Sequence, residues 1–156
     1  MNTFRSRAFS KSLLLPAVAF LFCLGGMLRA DPAGDSRTQD AVAAAQHWLA
    51  EIDANKVEES YADGCTAFHN KVNKQQWITV LNALRPSIGN LTSRTQQSAD
   101  YKPDGFEGLE GECVVIKYAS VFAVIGSAVE VVVMKRENGQ WRGAGYNVEP
   151  QSTATQ

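Results

Sequence analysis

Residues 112–149 decide the fold class and read ECVVIKYASVFAVIGSAVEVVVMKRENGQWRGAGYNVE. Apolar and polar residues alternate along this segment and β-branched residues are frequent, which is typical of strands that are buried on one face. Gly126-Ser127 and Asn138-Gly139 interrupt the pattern, and Asn-Gly is among the strongest signals for a tight hairpin. The segment therefore predicts three consecutive antiparallel strands, over Glu112–Phe122, Ala128–Glu137 and Gln140–Glu149.

A fourth strand is predicted immediately upstream. Leu91–Tyr101 is polar and rich in Thr and Ser, and it comes after the point at which the helical period of the sequence ends. Lys102–Gly111 contains one proline and three glycines, so we predict a loop there. The C-terminal part of the chain thus supplies four antiparallel strands.

The preceding part of the chain has helical periodicity, with apolar residues three and four apart. The predicted helices span Thr38–Ala54, Tyr61–Val72 and Asn73–Arg85. Asp63 and Gly64 are a point at which the second helix could divide, and Pro86 is expected to end the third. Helices followed by antiparallel strands give an α+β fold, in which three N-terminal helices pack on one face of a curved four-stranded antiparallel sheet.

The N-terminus has the three parts of an export signal. Basic residues precede an apolar run of 12 residues, Leu13–Leu24, and Ala30 offers a small residue for cleavage. A membrane anchor is the alternative, but spanning the hydrocarbon core takes about 20 apolar residues. We therefore expect cleavage after Ala30 and export to the periplasm or the cell exterior, with membrane contact only through the leader.

The chain then divides into a cleaved signal peptide (1–30), a flexible linker (31–37), a single domain (38–149) and a disordered tail (150–156). Cleavage removes four of the 15 basic residues and none of the 16 acidic ones, so 11 basic residues remain and the net charge is −5. The remaining length suffices for one hydrophobic core. The acidic balance argues against nucleic-acid binding, which requires clustered Lys and Arg.

Two cysteines, Cys65 and Cys113, remain after the leader is removed. An even number of cysteines in an oxidising compartment favours a disulfide, and two buried free thiols are the alternative. Strand alternation places Cys113 on the same side as Lys117, away from the helix that carries Cys65, which argues against a bridge. The pattern of residues therefore leaves the pairing open.

Residues for enzyme chemistry are scarce. His47 and His69 have no Cys or Asp at ligand spacing, so we predict neither a metal site nor a cofactor. The sequence contains no glycine-rich phosphate loop and no nucleophile motif centred on serine. Glu130 is the candidate for a catalytic acid, because alternation places it on the buried face of its strand. The alternative is a structural ion pair with Arg94 or Arg142.

Aromatic side chains could line a pocket for a small apolar ligand, because such pockets are mainly apolar with a few polar groups. Packing in the core is the alternative role, and the more common one for tryptophans on the apolar stripe of a helix. The candidate ligand-binding residues are Trp48, Trp77, Tyr118, Glu130 and Tyr146.

A series of short motifs is spread in order along residues 40–148. The motifs are Trp48-Leu49, Tyr61, Phe68, Gln76-Trp77, Arg85-Pro86, Gly89, Ser93-Arg94, Gly111-Glu112, Val114-Val115, Phe122, Ala128-Val129-Glu130, Gly139-Gln140-Trp141-Arg142 and Gly145-Tyr146. Together they resemble domain-of-unknown-function family 4019, a family of small exported bacterial proteins. The resemblance implies the nuclear-transport-factor-2-like cone fold, also called cystatin-like, and no particular activity. Cys65 and Cys113 depart from the family pattern, which favours the disulfide again.

Three functions remain open. The leading hypothesis is non-enzymatic binding of a small apolar ligand or an envelope protein. The second is an isomerase-like or hydratase-like enzyme with Glu130 as acid or base. The third is a structural homodimer through the sheet, because the outer side of Ala128–Glu137 is rich in valine and an exposed apolar patch implies a partner. A filled interior would argue against the enzyme and weaken the small-ligand hypothesis.

Overall fold

The computed structural model describes residues 32–151 and, within them, the side chains from Asp35 onward. The helices are α1 (Pro32–Asp53), α2 (Val57–Ala62), α3 (Thr66–Lys71) and α4 (Lys74–Ile88). The strands are β1 (Leu91–Lys102), β2 (Gly105–Phe106), β3 (Leu109–Glu110), β4 (Cys113–Phe122), β5 (Gly126–Glu137) and β6 (Gln140–Pro150). The predicted signal peptide, its cleavage after Ala30 and residues 152–156 of the predicted tail lie outside the described residues.

Four strands form one antiparallel sheet in the order β1-β4-β5-β6. The predicted α+β class is therefore confirmed, with helices that precede an antiparallel four-stranded sheet. Within the segment predicted as a loop, β2 and β3 form a small separate hairpin. The cone shape of the sheet stays a prediction.

The two predicted turns between the last three strands have different outcomes. Asn138 and Gly139 both have positive φ, 51° and 80°, and join β5 to β6 as the Asn-Gly signal predicts. The preceding turn is formed by Ala123–Ile125, and Gly126 and Ser127 already belong to β5. Gly126 has a φ of 72°, a conformation that favours glycine, and the turn lies on its N-terminal side.

The first helix begins earlier than its periodicity predicts. α1 starts at Pro32 and not at Thr38, so residues 32–37, which the sequence predicts as a linker, are helical. These six residues carry no apolar stripe, which is the signal that a periodicity analysis requires. Among residues 32–151, no helix has the length and hydropathy needed to cross a membrane.

The last helix continues past the proline that was expected to end it. α4 includes Pro86 and extends to Ile88. Ile88 is buried in a small cluster with Phe122 and Ala128, and this packing offsets the helical hydrogen bond that the proline nitrogen cannot donate. The start of the helix is as predicted, because Asn73 and Gln76 form a reciprocal capping box.

The second predicted helix divides at Asp63-Gly64 into α2 and α3. Gly143 of β6 holds the break, because its N–H donates to the Asp63 carbonyl at 3.0 Å and its carbonyl accepts from the Cys65 N–H at 2.8 Å. A side chain at residue 143 would clash, since a Cβ atom there would lie 2.4 Å from the ring of Trp48. Backbone hydrogen bonds from β6 therefore fix the position of Asp63, and the absence of a side chain at Gly143 lets β6 lie close to Trp48 of α1.

Aromatic side chains fill the space between the helices and the sheet. Trp48 and Trp77 stack with ring centroids 6.0 Å apart and planes 5° apart. Both indole N–H groups donate to Ser60, to its carbonyl at 2.7 Å and to its hydroxyl at 3.0 Å. The sheet contributes buried side chains opposite them, namely Val114, Ile116, Tyr118, Val132 and Met134.

Candidate functional site

Glu130 lies at the centre of a buried polar network on the inner face of the sheet. Its side chain is 0% exposed, as the alternation of β5 predicts. Arg94 of β1 donates hydrogen bonds to both carboxylate oxygens, from Nε to Oε2 at 2.6 Å and from Nη2 to Oε1 at 2.9 Å. The hydroxyls of Ser120 and Tyr146 also donate to this carboxylate, the second at 2.8 Å. Both oxygens are therefore occupied.

The network continues toward the surface through alternating charges. Arg94 also donates to both oxygens of Asp53, at 2.7 and 3.3 Å. Arg85 of α4 adds one hydrogen bond of 3.2 Å from Nη1 to Asp53 Oδ1. Asp53 lies in the last turn of α1. The charged side chains therefore form one continuous charge line that joins the sheet to the ends of α1 and α4, and it consists of Glu130, Arg94, Asp53 and Arg85.

Electrostatics keep Glu130 ionised. Burial acts to raise the pKa of Glu130, but the hydrogen bonds from Arg94, Ser120 and Tyr146 outweigh it and hold the pKa below the usual value. Burial, followed by the charge of Glu130, raises the pKa of the Tyr146 hydroxyl. A carboxylate that is ionised, fully bonded and closed to solvent is suited to a structural ion pair. It lacks the raised pKa and the access that a general acid requires.

The residues that were predicted to line a pocket lie close together, but they pack in the hydrophobic core. Trp48, Trp77 and Tyr118 are 1%, 4% and 2% exposed, which leaves them almost no surface for a ligand. Tyr146 packs edge-on against Trp48 with ring centroids 6.5 Å apart. Arg94 lies 6.0 Å from the ring centre of Tyr118, whose buried hydroxyl has no partner among the described residues. These residues fill the interior that a small apolar ligand would have occupied.

A cavity of about 500 Å³ opens instead at the outer end of the charge line, between the end of α1, the end of α4 and the β4–β5 turn. Sequence reasoning missed it, because its parts come from three separate segments. The polar lining residues are Asp53, Asn55, Asn82, Arg85 and Asn90, and the others are Pro86, Gly89, Ala123 and Val124. Arg85 is the cation at this cavity, and its side chain is 13% exposed.

A second group of polar side chains lies on the outer side of α1. His47 Nε2 is 3.5 Å from Glu51 Oε1 and 3.7 Å from Asp63 Oδ2. Burial, followed by the charge of Asp63, raises the pKa of Glu51. The sequence did carry half of this signal, because His47 and Glu51 are four residues apart and share a helix face. Asp63 joins them only through the contact of Gly64 with β6.

Both cysteines are buried free thiols in the structure. The sulfur of Cys65 caps α3 by accepting from the Phe68 N–H at 3.4 Å. Cys113 is also buried, although strand alternation places it on the same face as the exposed Lys117. Burial raises the pKa of the Cys113 thiol, so it is a poor nucleophile.

The outer face of the sheet carries the valines on which the homodimer prediction rests. Val129, Val131 and Val133 of β5 are partly exposed, and Val121 of β4 is 38% exposed. Lys117 stands beside Val131 in the neighbouring strand and is exposed. Contact with a second copy or with an envelope protein stays a prediction.

Comparison with known proteins gives a family but no activity. No curated protein matches the chain. The family described as a protein of unknown function, DUF4019, matches residues 44–146, which include all four helices in whole or in part and the sheet as far as Tyr146. This match covers more than half of the chain and agrees with the resemblance of the sequence motifs. The protein is therefore a member of the DUF4019 family.

Proposed function

We propose that this protein is an exported, non-enzymatic binding domain that holds a small carboxylate ligand in the cavity at the outer end of the charge line. The observation that carries the proposal is the state of Arg85. Its guanidinium has five N–H donors, and within residues 32–151 it makes one hydrogen bond, to Asp53. The opposite interpretation, catalysis at Glu130, loses support because that carboxylate is buried and fully bonded.

The charges around Arg85 favour an anionic ligand. Asp53, its acidic neighbour, already accepts two hydrogen bonds from Arg94, one of them at 2.7 Å. Arg94 in turn is shared with Glu130. The positive charge of Arg85 is therefore only partly compensated by Asp53. A guanidinium with free donors is well matched to a carboxylate, which it can bind through two parallel hydrogen bonds.

The rest of the cavity combines polar side chains with an apolar wall. Asn55, Asn82 and Asn90 offer amide donors and acceptors around Arg85. Pro86, Ala123 and Val124 supply an apolar wall, against which the carbon skeleton of a small ligand could pack. The cavity volume of about 500 Å³ is within the usual range for small-molecule sites. The partly compensated charge of Arg85 therefore favours a small carboxylate over the purely apolar ligand of the sequence hypothesis.

A titration with matched acid and amide probes tests the proposal. We expect N-acetylglycine, which imitates a peptide C-terminus, or glucuronate, which represents sugar acids, to shift the backbone amide signals of Gly89 and Val124 in NMR spectra. N-acetylglycinamide and glucuronamide should not, because they lack the charge that Arg85 recognises. The acid that binds more tightly then identifies the source of the carboxylate.

The variant Arg85→Gln should weaken binding of the acid about tenfold or more, because it removes a charged hydrogen-bond donor. Arg142→Gln is the matched control, since Arg142 is a partly exposed arginine that lies outside this cavity. Equal binding of acid and amide, or an Arg85→Gln protein that binds as the wild type does, would overturn the proposal.

A further inference from the structure

We propose that His47, Glu51 and Asp63 form a binding site for a divalent transition-metal ion, with zinc as the best match. The three side chains each offer one ligand atom, and these atoms all lie within 4.8 Å of one another. The site is separate from the cavity at Arg85 and does not depend on what that cavity binds.

The distances between ligand atoms agree with a tetrahedral zinc site. Zinc binds imidazole nitrogen and carboxylate oxygen at about 2.0–2.2 Å, so two such ligands in a tetrahedron lie roughly 3.3–3.6 Å apart. His47 Nε2 is 3.5 Å from Glu51 Oε1 and 3.7 Å from Asp63 Oδ2. The ligand oxygens of Glu51 and Asp63 lie within 4.8 Å of each other, so they would approach by at most roughly 1.2–1.5 Å to contact one ion. A water molecule would complete four-coordination.

The ligands are carried by well-packed segments. His47 and Glu51 are four residues apart on α1, next to Trp48, Leu49 and Ile52, which are fully or almost fully buried and fix this helix against the core. Rigid placement of this kind lowers the cost of organising a site when the ion binds.

Asp63, the third ligand, is held from the opposite side. Its backbone carbonyl accepts a 3.0 Å hydrogen bond from Gly143, so β6 fixes the segment between α2 and α3. The Asp63 side chain is 46% exposed, so the cluster is open to an ion from solvent.

Glu51 supplies an independent observation that a ligand is missing from this cluster. Its Oε2 atom is buried and has no hydrogen-bond partner among the described residues, and the side chain is only 12% exposed. A buried carboxylate oxygen without a partner is unfavourable, and in native structures such atoms require an explanation. A cation bound at Oε1 would neutralise the carboxylate that carries this oxygen and offset the repulsion from the second carboxylate, Asp63.

The donor set indicates the class of ion. One imidazole and two carboxylates suit zinc and its neighbours in the first transition row, whereas calcium and magnesium prefer sites made of oxygen alone. His47 is 70% exposed, so its imidazole is accessible to an ion from solvent.

Isothermal titration of the untagged protein with zinc chloride tests the site. We expect one equivalent of zinc to bind, and zinc to raise the melting temperature. His47→Gln and Asp63→Asn should each weaken zinc binding by at least about tenfold, because loss of a direct ligand should cost no less than loss of its outer-shell support. Cobalt in place of zinc should give the visible absorption of a tetrahedral site in the wild type but not in His47→Gln or Asp63→Asn.

Glu58→Gln is the matched control, because Glu58 is an exposed carboxylate of α2 outside the cluster. It should bind zinc as the wild type does. The exposure of His47 means that His47→Gln should fold normally, and circular dichroism verifies this. Absence of zinc binding at millimolar concentration, or binding that His47→Gln leaves unchanged, would overturn the proposal.

Discussion

Glu130 and Glu51 are both glutamates with little exposed surface, but their surroundings differ. Arg94, Ser120 and Tyr146 donate hydrogen bonds to both oxygens of Glu130. Glu51 faces a second carboxylate and a histidine, and one of its oxygens has no partner among the described residues. The first carboxylate stabilises the fold, whereas the second is costly for the fold and suited to a ligand.

Replacement of Glu130 gives the largest expected effect. Glu130→Gln leaves the buried Arg94 with one ionic partner in place of two, and breaking a buried ion pair in this way costs roughly 3 kcal/mol. Urea denaturation should show this loss in the free energy of unfolding. Glu149→Gln, at an exposed position of β6, is the control and should change it by less than about 0.5 kcal/mol. A Glu130→Gln protein as stable as the wild type would remove the structural role.

The pH dependence of stability separates Glu130 from other carboxylates. Its pKa in the folded protein is lower than in the unfolded chain, where it is about 4.3. Its ionisation therefore stabilises the fold above that pH, and the contribution is lost as the pH falls through the folded-state pKa. Glu112 and Glu137 also have lowered pKa values, so the wild type alone does not isolate Glu130.

The difference in unfolding free energy between the wild type and Glu130→Gln removes those other contributions. It should be constant at neutral pH and shrink below about pH 4. A difference that stays constant down to the lowest accessible pH would contradict the pKa of Glu130 that its hydrogen bonds imply.

Replacement of Glu51 should have a small effect of the opposite sign. Its raised pKa means that the ionised form is disfavoured in the folded protein, so it lowers stability at neutral pH. In the presence of a chelator, Glu51→Gln should leave the free energy of unfolding unchanged or increase it by up to about 1 kcal/mol. A clear destabilisation would show that the Glu51 carboxylate has a stabilising partner after all.

The sheet was largely predictable because strand alternation has a period of two residues. That period placed Glu130 on the buried face and gave the boundaries of β4 and β6 to within one residue. Arg94 was one of two candidate partners, and the register of β1 against β4 decides between them. The start of α1 could not be predicted, because residues 32–37 have no apolar stripe.

Both candidate sites depend on contacts that no local pattern contains. Asp53 is 41 residues from Arg94 in sequence, and the two meet only when the end of α1 packs beside β1. Asp63 reaches His47 because the chain breaks at Gly64, where a bridge to Gly143 holds it. In each site, local sequence patterns indicate only some of the residues, and the packing of distant segments brings in the others.

The pKa values of the two glutamates give the most direct test of the difference between the two regions. NMR titration of the side-chain carboxyl carbons, in one metal-free sample, measures both. The pKa of Glu130 should lie below the ordinary glutamate value of about 4.3 and that of Glu51 above it. A Glu130 pKa above that of Glu51 would contradict the assignment of Glu130 to the structural network and of Glu51 to the unsatisfied site.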